Sequence, residues 1–381
     1  LAVHGAERWR LRDSNAPGGG GSTWAGLGGG EPGRSRAIQG FSPILPTLAA
    51  PGTSFLPAFM RTRLTDMLRL EHPLIMAPMF LVSNTAMVKE GMRCGIAGCI
   101  PALNYRTIDE LRAAARELKA AKSAIGKGAF GFNLIVNKSN PKAAKQLEAL
   151  CEEGCDLLIT SLGSPEATIK AAHAAGIKVF CDVTDLRFAQ KVEALGADAL
   201  IAVNNEAGGH RGNLAPQELI ALLKKHCSIP VISAGGVGTK AEMDRMLGYG
   251  AEGVSVGSPF IASLEAPITD AYKQACVDYG AADIVLTERI SGTPCTVINT
   301  PYVRKIGGRS PWLERLLNRN RRLKKWVKML RFWSGMKATE AAAQKATYKT
   351  VWVAGPSIAH TRAVEPVRAI VERLVGEDRA R

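Results

Sequence analysis

This chain of 381 residues contains no apolar run approaching the ~20 residues that a membrane-spanning helix requires. No transmembrane segment is expected. Its eight cysteines, at 94, 99, 151, 155, 181, 227, 276 and 295, include no Cys-x-x-Cys pair and no Cys/His zinc spacing. A bound metal is therefore not expected, and thiols set mostly within apolar patterns indicate a reducing, cytoplasmic location. Lysine is missing from residues 1–59, and so is any helical or strand period. That segment, with its Gly/Pro-rich "APGGGGSTWAGLGGGEPG", cannot bury enough surface to offset its ordering entropy and reads as a disordered leader. No methionine precedes Met60. The expected native start is Met60, with the leader an expression or translation artefact. The alternative is a transit peptide, although an apolar core and an Arg-rich amphipathic helix are both missing.

Positive charge is in excess, +15 in all, but its distribution argues against nucleic acid as a partner. Between Arg304 and Arg331, eleven Lys and Arg stand against one acid, Glu314, a local net of +10. Such a patch suits an acidic partner, a phosphate-bearing ligand or a membrane surface. Within it Leu313, Leu316, Leu317, Leu323, Trp326, Val327 and Leu330 recur at helical spacing. They predict a basic amphipathic helix over 311–333, packed near the mouth of the domain described next as an insertion or lid.

Beyond Met60 a pattern repeats. Four times a helix-like segment ends in glycine and an apolar run follows: "EEGCDLLIT", "AAGIKVFCD", "ALGADALIA" and "GYGAEGVSV". Glycine at a helix C-terminus leading into a buried strand is the closing half of a βα unit. With "PLIMAPM", "CGIAGCI", "AFGFNLIV" and "IPVISAGG" there are eight strands, starting near residues 74, 95, 130, 156, 178, 199, 230 and 253. Amphipathic stretches such as "TIDELRAAARELKAAKSA" lie between them. The expected fold is α/β, a (β/α)8 TIM barrel over residues 60–300 with a C-terminal helical segment and a delayed or displaced eighth helix. Residues 301–350 form the basic insertion, and 351–381 return to the barrel.

In such a barrel the site lies at the strand C-termini, and phosphate is commonly held after strands seven and eight. Those loops read "SAGGVGTKAEM" and "SVGSPFIAS". Gly235, Gly236, Gly257 and Ser258 thus offer backbone N–H groups and a hydroxyl to a phosphate, although tight turns alone would use the same glycines. "GGVG" is not the Rossmann Gly-x-Gly-x-x-Gly, which excludes that dinucleotide site. Ala77, Pro78 and Met79 close strand one, Asn133 lies in strand three and Asp182 ends strand five. Singly each passes for core; together with a phosphate cradle they suggest a flat, amide-rich heterocycle in the barrel mouth. After strand six comes "NNEAGGHRGN", where Gly208 and Gly209 bare the backbone beside His210. Glycines admit another body close to the main chain, and a solvated turn is the bland alternative.

The ordered set "PLIMAPM", "GFNL", "EAGGHRG", "PVISAGGVG" and "GVSVGSPF", with "ERISGTPC" and "VWVAGPSIA" downstream, resembles the nitronate monooxygenase family, formerly called 2-nitropropane dioxygenases. It is also similar to a close relative of that family, the FMN-dependent enoyl-acyl-carrier-protein reductase. The resemblance implies FMN, held by Ala77, Pro78, Met79, Asn133, Gly208, Gly209, Gly235, Gly236, Gly257 and Ser258, with His210 facing the reactive ring edge. Asp182, where some members carry Lys, joins the cofactor set and changes the charge near the flavin. Gly257-Ser258 replaces a more usual Gly-Thr phosphate pair.

The implied activity is oxidation of alkyl nitronates by O2, His210 acting as general base toward neutral nitroalkanes. The implied partners are thus a small nitronate and O2. Two readings compete. One is NAD(P)H-dependent reduction of an enoyl thioester, the basic segment meeting an acidic carrier protein. The other is a non-catalytic flavin-binding or membrane-associated scaffold.

Overall fold

The computed structural model describes residues 61–137, 140–288, 294–307 and 351–377. Eight parallel strands pair in chain order and close when the first meets the eighth. They are β1 Leu74–Met76, β2 Ala97–Pro101, β3 Ala129–Ile135, β4 Leu157–Ser161, β5 Lys178–Val183, β6 Ala199–Val203, β7 Val231–Ala234 and β8 Val254–Val256. Helix α1, Arg63–Leu68, precedes the barrel. Helices α2 Thr85–Arg93, α3 Ile108–Ile125, α4 Ala143–Glu153, α5 Glu166–Ala174, α6 Leu186–Ala194, α7 Pro216–His226, α8 Lys240–Gly248 and α9 Ser258–Ile261 follow the successive strands. Then come α10 Asp270–Asp278, the antiparallel pair β9 Ile284–Thr287 and β10 Cys295–Ile298, α11 Pro301–Ile306 and α12 Val367–Val375. The fold is a (β/α)8 TIM barrel, with every strand start within two residues of its expected place.

Local chemistry sets the boundaries. Helix α3 opens on a capping box, in which the Thr107 hydroxyl accepts the Glu110 N–H and the Glu110 carboxylate accepts the Thr107 N–H. The glycines that end the four repeats, Gly154, Gly176, Gly196 and Gly250, all have positive φ, a conformation that other residues rarely adopt.

Alternation along the strands sorts side chains into two layers. Ile75, Ala97, Ala129, Leu157, Ile159, Phe180, Ala199, Ile201 and Ile232 face the barrel interior, and α1 adds Leu64 and Leu68 at the strands' N-terminal ends. Their neighbours Leu158, Val179, Cys181, Leu200 and Ala202 face the helices. Burial of each such aliphatic side chain contributes about 1.5–3 kcal/mol. Helix α9 has only four residues and covers little. The slot between α8 and α2 is filled instead by α12, which buries Val367, Ile370, Val371 and Leu374.

The leader and the basic stretch 311–333 lie outside the described residues. Among the described residues no helix is long and apolar enough to cross a membrane.

Candidate active site

The C-terminal ends of the strands surround a cavity of about 400 Å³, within the usual range for small-molecule sites. Ala77, Pro78 and Met79 follow β1, Asn133 is in β3 and Asp182 in β5. Gly208, Gly209 and His210 follow β6, Gly235 and Gly236 follow β7, and Gly257 and Ser258 follow β8. All twelve line this one cavity.

Each loop is held by side chains. After β1, the Met79 N–H donates to Ser83 Oγ at 2.9 Å, and Asn104 accepts from the Leu81 N–H at 3.0 Å. Leu81 sits at φ 63, a strained value for a leucine that these bonds sustain. After β6, fully buried Asn204 accepts from the Glu206 N–H at 2.8 Å and donates to the Gly235 carbonyl at 3.1 Å, tying the loops after β6 and β7 together. Gly235 must be glycine, because a Cβ there would lie 2.4 Å from both the Ala207 nitrogen and Asn204 Oδ1. The His210 loop is fastened to β10: the Gly209 N–H donates to Thr296 Oγ1 at 2.7 Å, and the Thr296 N–H donates to the Gly209 carbonyl at 2.8 Å.

His210 is exposed at the cavity rim. Chain packed around the mouth still disfavours the imidazolium and lowers the His210 pKa to about 4. Contact with solvent moderates the shift, and its direction, toward a neutral imidazole, is the property that matters for chemistry.

Across the interior the inward-facing layer turns polar. Asn133 Nδ2 donates to Ser161 Oγ at 2.7 Å and to the Ile159 carbonyl at 3.1 Å, and Ser161 Oγ donates to Asp182 Oδ2 at 2.5 Å. Burial pushes the Asp182 carboxyl up to about 6, with the Ser161 hydrogen bond pulling the other way. Among the described residues of the lining there is no Lys or Arg.

The return segment also reaches the site, bringing Val353, Ala354 and Ser357 into the lining. The Gly355 N–H donates to Ser258 Oγ at 2.8 Å. A Cβ on Gly208 would lie 2.7 Å from Ser258 Oγ and 2.9 Å from the Gly355 nitrogen, so the backbones of Gly208 and Gly355 meet there beside the Ser258 hydroxyl. Tyr272 of α10 stacks on Trp352, ring centroids 5.7 Å apart, and donates to the Val353 carbonyl at 2.6 Å. Ser161, Asn204, Tyr272, Thr296 and Gly355 are absent from the sequence-derived set. Asn204 opens the quoted "NNEAGGHRGN", Gly355 lies in "VWVAGPSIA", and Ser161 had a signal in its inward phase with Leu157 and Ile159.

A model of the nitronate monooxygenase family matches residues 61–377. The chain belongs to the nitronate monooxygenase family. Among its relatives, (3aS,4S,5R,7aS)-5-hydroxy-7a-methyl-1-oxo-octahydro-1H-indene-4-carboxyl-CoA dehydrogenase of Mycobacterium tuberculosis is 30% identical over 250 residues, covering 65% of this chain and 68% of that protein. Nitronate monooxygenase of Pseudomonas aeruginosa is 28% identical over 279 residues, covering 61% and 78%. FabK from Thermotoga maritima superposes with a TM-score of 0.71 at 28% identity, over 83% of this chain and 96% of that one. Nitroalkane oxidase from Streptomyces ansochromogenes, with a TM-score of 0.68 and 24% identity over 82% and 97%, shares the fold. The protein is a flavin-dependent oxidoreductase, as its family is.

Proposed function

We propose that the flavin is FMN and that the enzyme oxidises alkyl nitronates with O2. The observation that carries this reading is the convergence on one cavity of the two glycine loops, the polar layer of β3 to β5 and His210. The cradle suits a phosphate: Gly257 lines the cavity after β8 with an ordinary φ of −117, and the nearest atoms to its Cβ position, of Met79 and Ala77, stand at van der Waals distance, 3.5–3.6 Å. Ser258 Oγ already accepts from Gly355, which leaves its O–H as a donor. Glu206 is a counterweight, since its carboxylate rests on Gly236, with Arg245 3.8 Å away to offset its charge.

When bound, FMN supplies the electron acceptor and the passage of electrons to O2. The chain supplies the rest. Apolar walls that include Met79, Ile135, Val203 and Val353 exclude water from the reacting carbon. A neutral His210 takes the α-proton of a nitroalkane, a step worth about 10²–10⁴-fold that a preformed nitronate does not need.

A second reading, redox chemistry beside an acyl thioester, is favoured by two observations. One is the similarity to a carboxyl-CoA dehydrogenase. The other is the lack of a Lys or Arg for an anionic nitronate among the described lining residues. Oxygen uptake by FMN-loaded protein with propionate 3-nitronate, run beside NADPH plus a crotonyl thioester, separates the two. Nitronate-dependent uptake is expected. NADPH-driven thioester reduction without it would overturn the first reading for the second, and a protein that stays colourless after FMN supplementation would remove both.

A further inference from the structure

We propose that Asp182 is a proton-exchanging contact for the polar edge of the cofactor, set by a one-way hydrogen-bond chain through Ser161 and Asn133, so that flavin binds with uptake of one proton. The inference rests on the flavin reading above and concerns residues of three adjacent strands.

The direction of the chain is fixed by its first member. Both Asn133 amide hydrogens are spent, one on the Ile159 carbonyl and one on Ser161 Oγ. Ser161, accepting from Asn133, turns its own hydrogen to Asp182 Oδ2 at 2.5 Å. Oδ2 is thereby an acceptor, and any proton that Asp182 carries resides on Oδ1. What the pair offers the cavity is then Asn133 Oδ1, an acceptor, beside Asp182 Oδ1, which becomes a donor on protonation. A flavin's imide edge alternates carbonyl, N–H and carbonyl. Asn133 Oδ1 answers the N–H, and a carbonyl next to it requires a donor, which the protonated acid provides and the carboxylate does not. The residue after Ser161, Leu162, lies at φ 60, a conformation that leucine rarely adopts.

The surroundings favour protonation once a ligand displaces water. Strand β6 places Ile201 opposite Asp182. Among the described residues, the ionisable groups close by are the thiols of Cys99 on β2 and Cys181 on β5, both raised by burial and hence neutral. His210, Tyr272 and Cys295 are the other titratable groups of the lining, and no Lys or Arg among the described residues offsets a carboxylate there. Burial already sets Asp182 at about 6, and removing cavity water disfavours its anion further.

The test is calorimetric titration of FMN into the flavin-stripped full chain at pH 7.5, in two buffers of different ionisation enthalpy. At that pH the FMN phosphate, with its second pKa near 6, is already the dianion. Riboflavin, which has no phosphate, serves as control. Wild type is expected to take up close to one proton with either ligand. Asp182→Asn should bind FMN with no uptake at pH 7.5, and its Kd for riboflavin, which has no phosphate to titrate, should be independent of pH from 5.5 to 8. Ser161→Ala removes the bond that lowers the Asp182 pKa, so the midpoint of proton uptake should move to higher pH, and Ser161→Thr should restore it. FMN binding without uptake in wild type, or uptake that persists in Asp182→Asn, overturns the proposal and leaves the flavin reading standing. Failure of wild type to bind either flavin overturns both.

Discussion

The two ends of the barrel follow the same inward alternation and end in opposite chemistry. At the N-terminal end the inward positions are Ile75, Ala97, Ala129 and Leu157, sealed by Leu64 and Leu68 of α1. At the C-terminal end the same faces of β3, β4 and β5 carry Asn133, Ser161 and Asp182. In β4 the change takes two residues, from Ile159 to Ser161, and in β5 from Phe180 to Asp182. Stability and chemistry are thus segregated along each strand, which lets one end be altered with little effect on the other.

Substitutions can break that separation if it is false. The largest effect expected is from Gly257→Asp, which sets a carboxylate against the assigned phosphate. At an effective dielectric of about 20 and 4 Å separation the repulsion is ~4 kcal/mol, on the order of 10³-fold in FMN affinity. Because φ at Gly257 is −117 and its Cβ position has ordinary contacts, the flavin-free variant should unfold at the wild-type temperature. Full FMN occupancy in the purified variant would sink the phosphate assignment. His210→Ala comes next, with a loss of about 10²–10⁴-fold in kcat/KM for neutral nitroalkanes and a smaller one for preformed nitronates. Equal losses on both would mean that His210 positions substrate and takes no proton.

Leu64→Ala probes the other end. Urea unfolding should show a destabilisation of about 2–5 kcal/mol, while the FMN Kd stays at its wild-type value. A weakened Kd would show that the two ends are coupled. The smallest effect sharpens the comparison through pH. A pKa lowered to about 4 keeps His210 neutral above that value. The rate with neutral nitroalkane should therefore hold level from pH 8 to 6 and fall only as pH drops toward 4. A midpoint near 6.5, the ordinary value for histidine, would mean that the mouth does not disfavour the imidazolium.

Much of this arrangement is legible in the sequence, for physical reasons that also explain what is not. Glycine at helix ends and apolar runs behind it are local, so the strands can be placed, and the site residues at their C-termini follow from the barrel's architecture. Ser161 was legible in principle, since it keeps phase with Leu157 and Ile159, but a serine at a strand end also reads as the start of a turn. Thr296 and Gly355 act through contacts with residues 87 and 97 positions away. Nothing local marks Thr296, and Gly355 is marked only as part of the family-like "VWVAGPSIA". Helix α12 is a similar case: its amphipathic pattern says that it packs somewhere, and only the one-turn length of α9 opens the slot it fills.

That displaced helix has a consequence for how the protein is made. Strand β8 ends at Val256 and α12 begins at Val367, so at about 5–20 residues per second the ribosome finishes the closing strand roughly 6–22 s before it starts the helix that covers the barrel seam. Throughout that interval α2 and α8 lack the helix that packs between them. A nascent chain of this protein therefore carries, for seconds, a barrel seam without the helix that closes it in the finished enzyme.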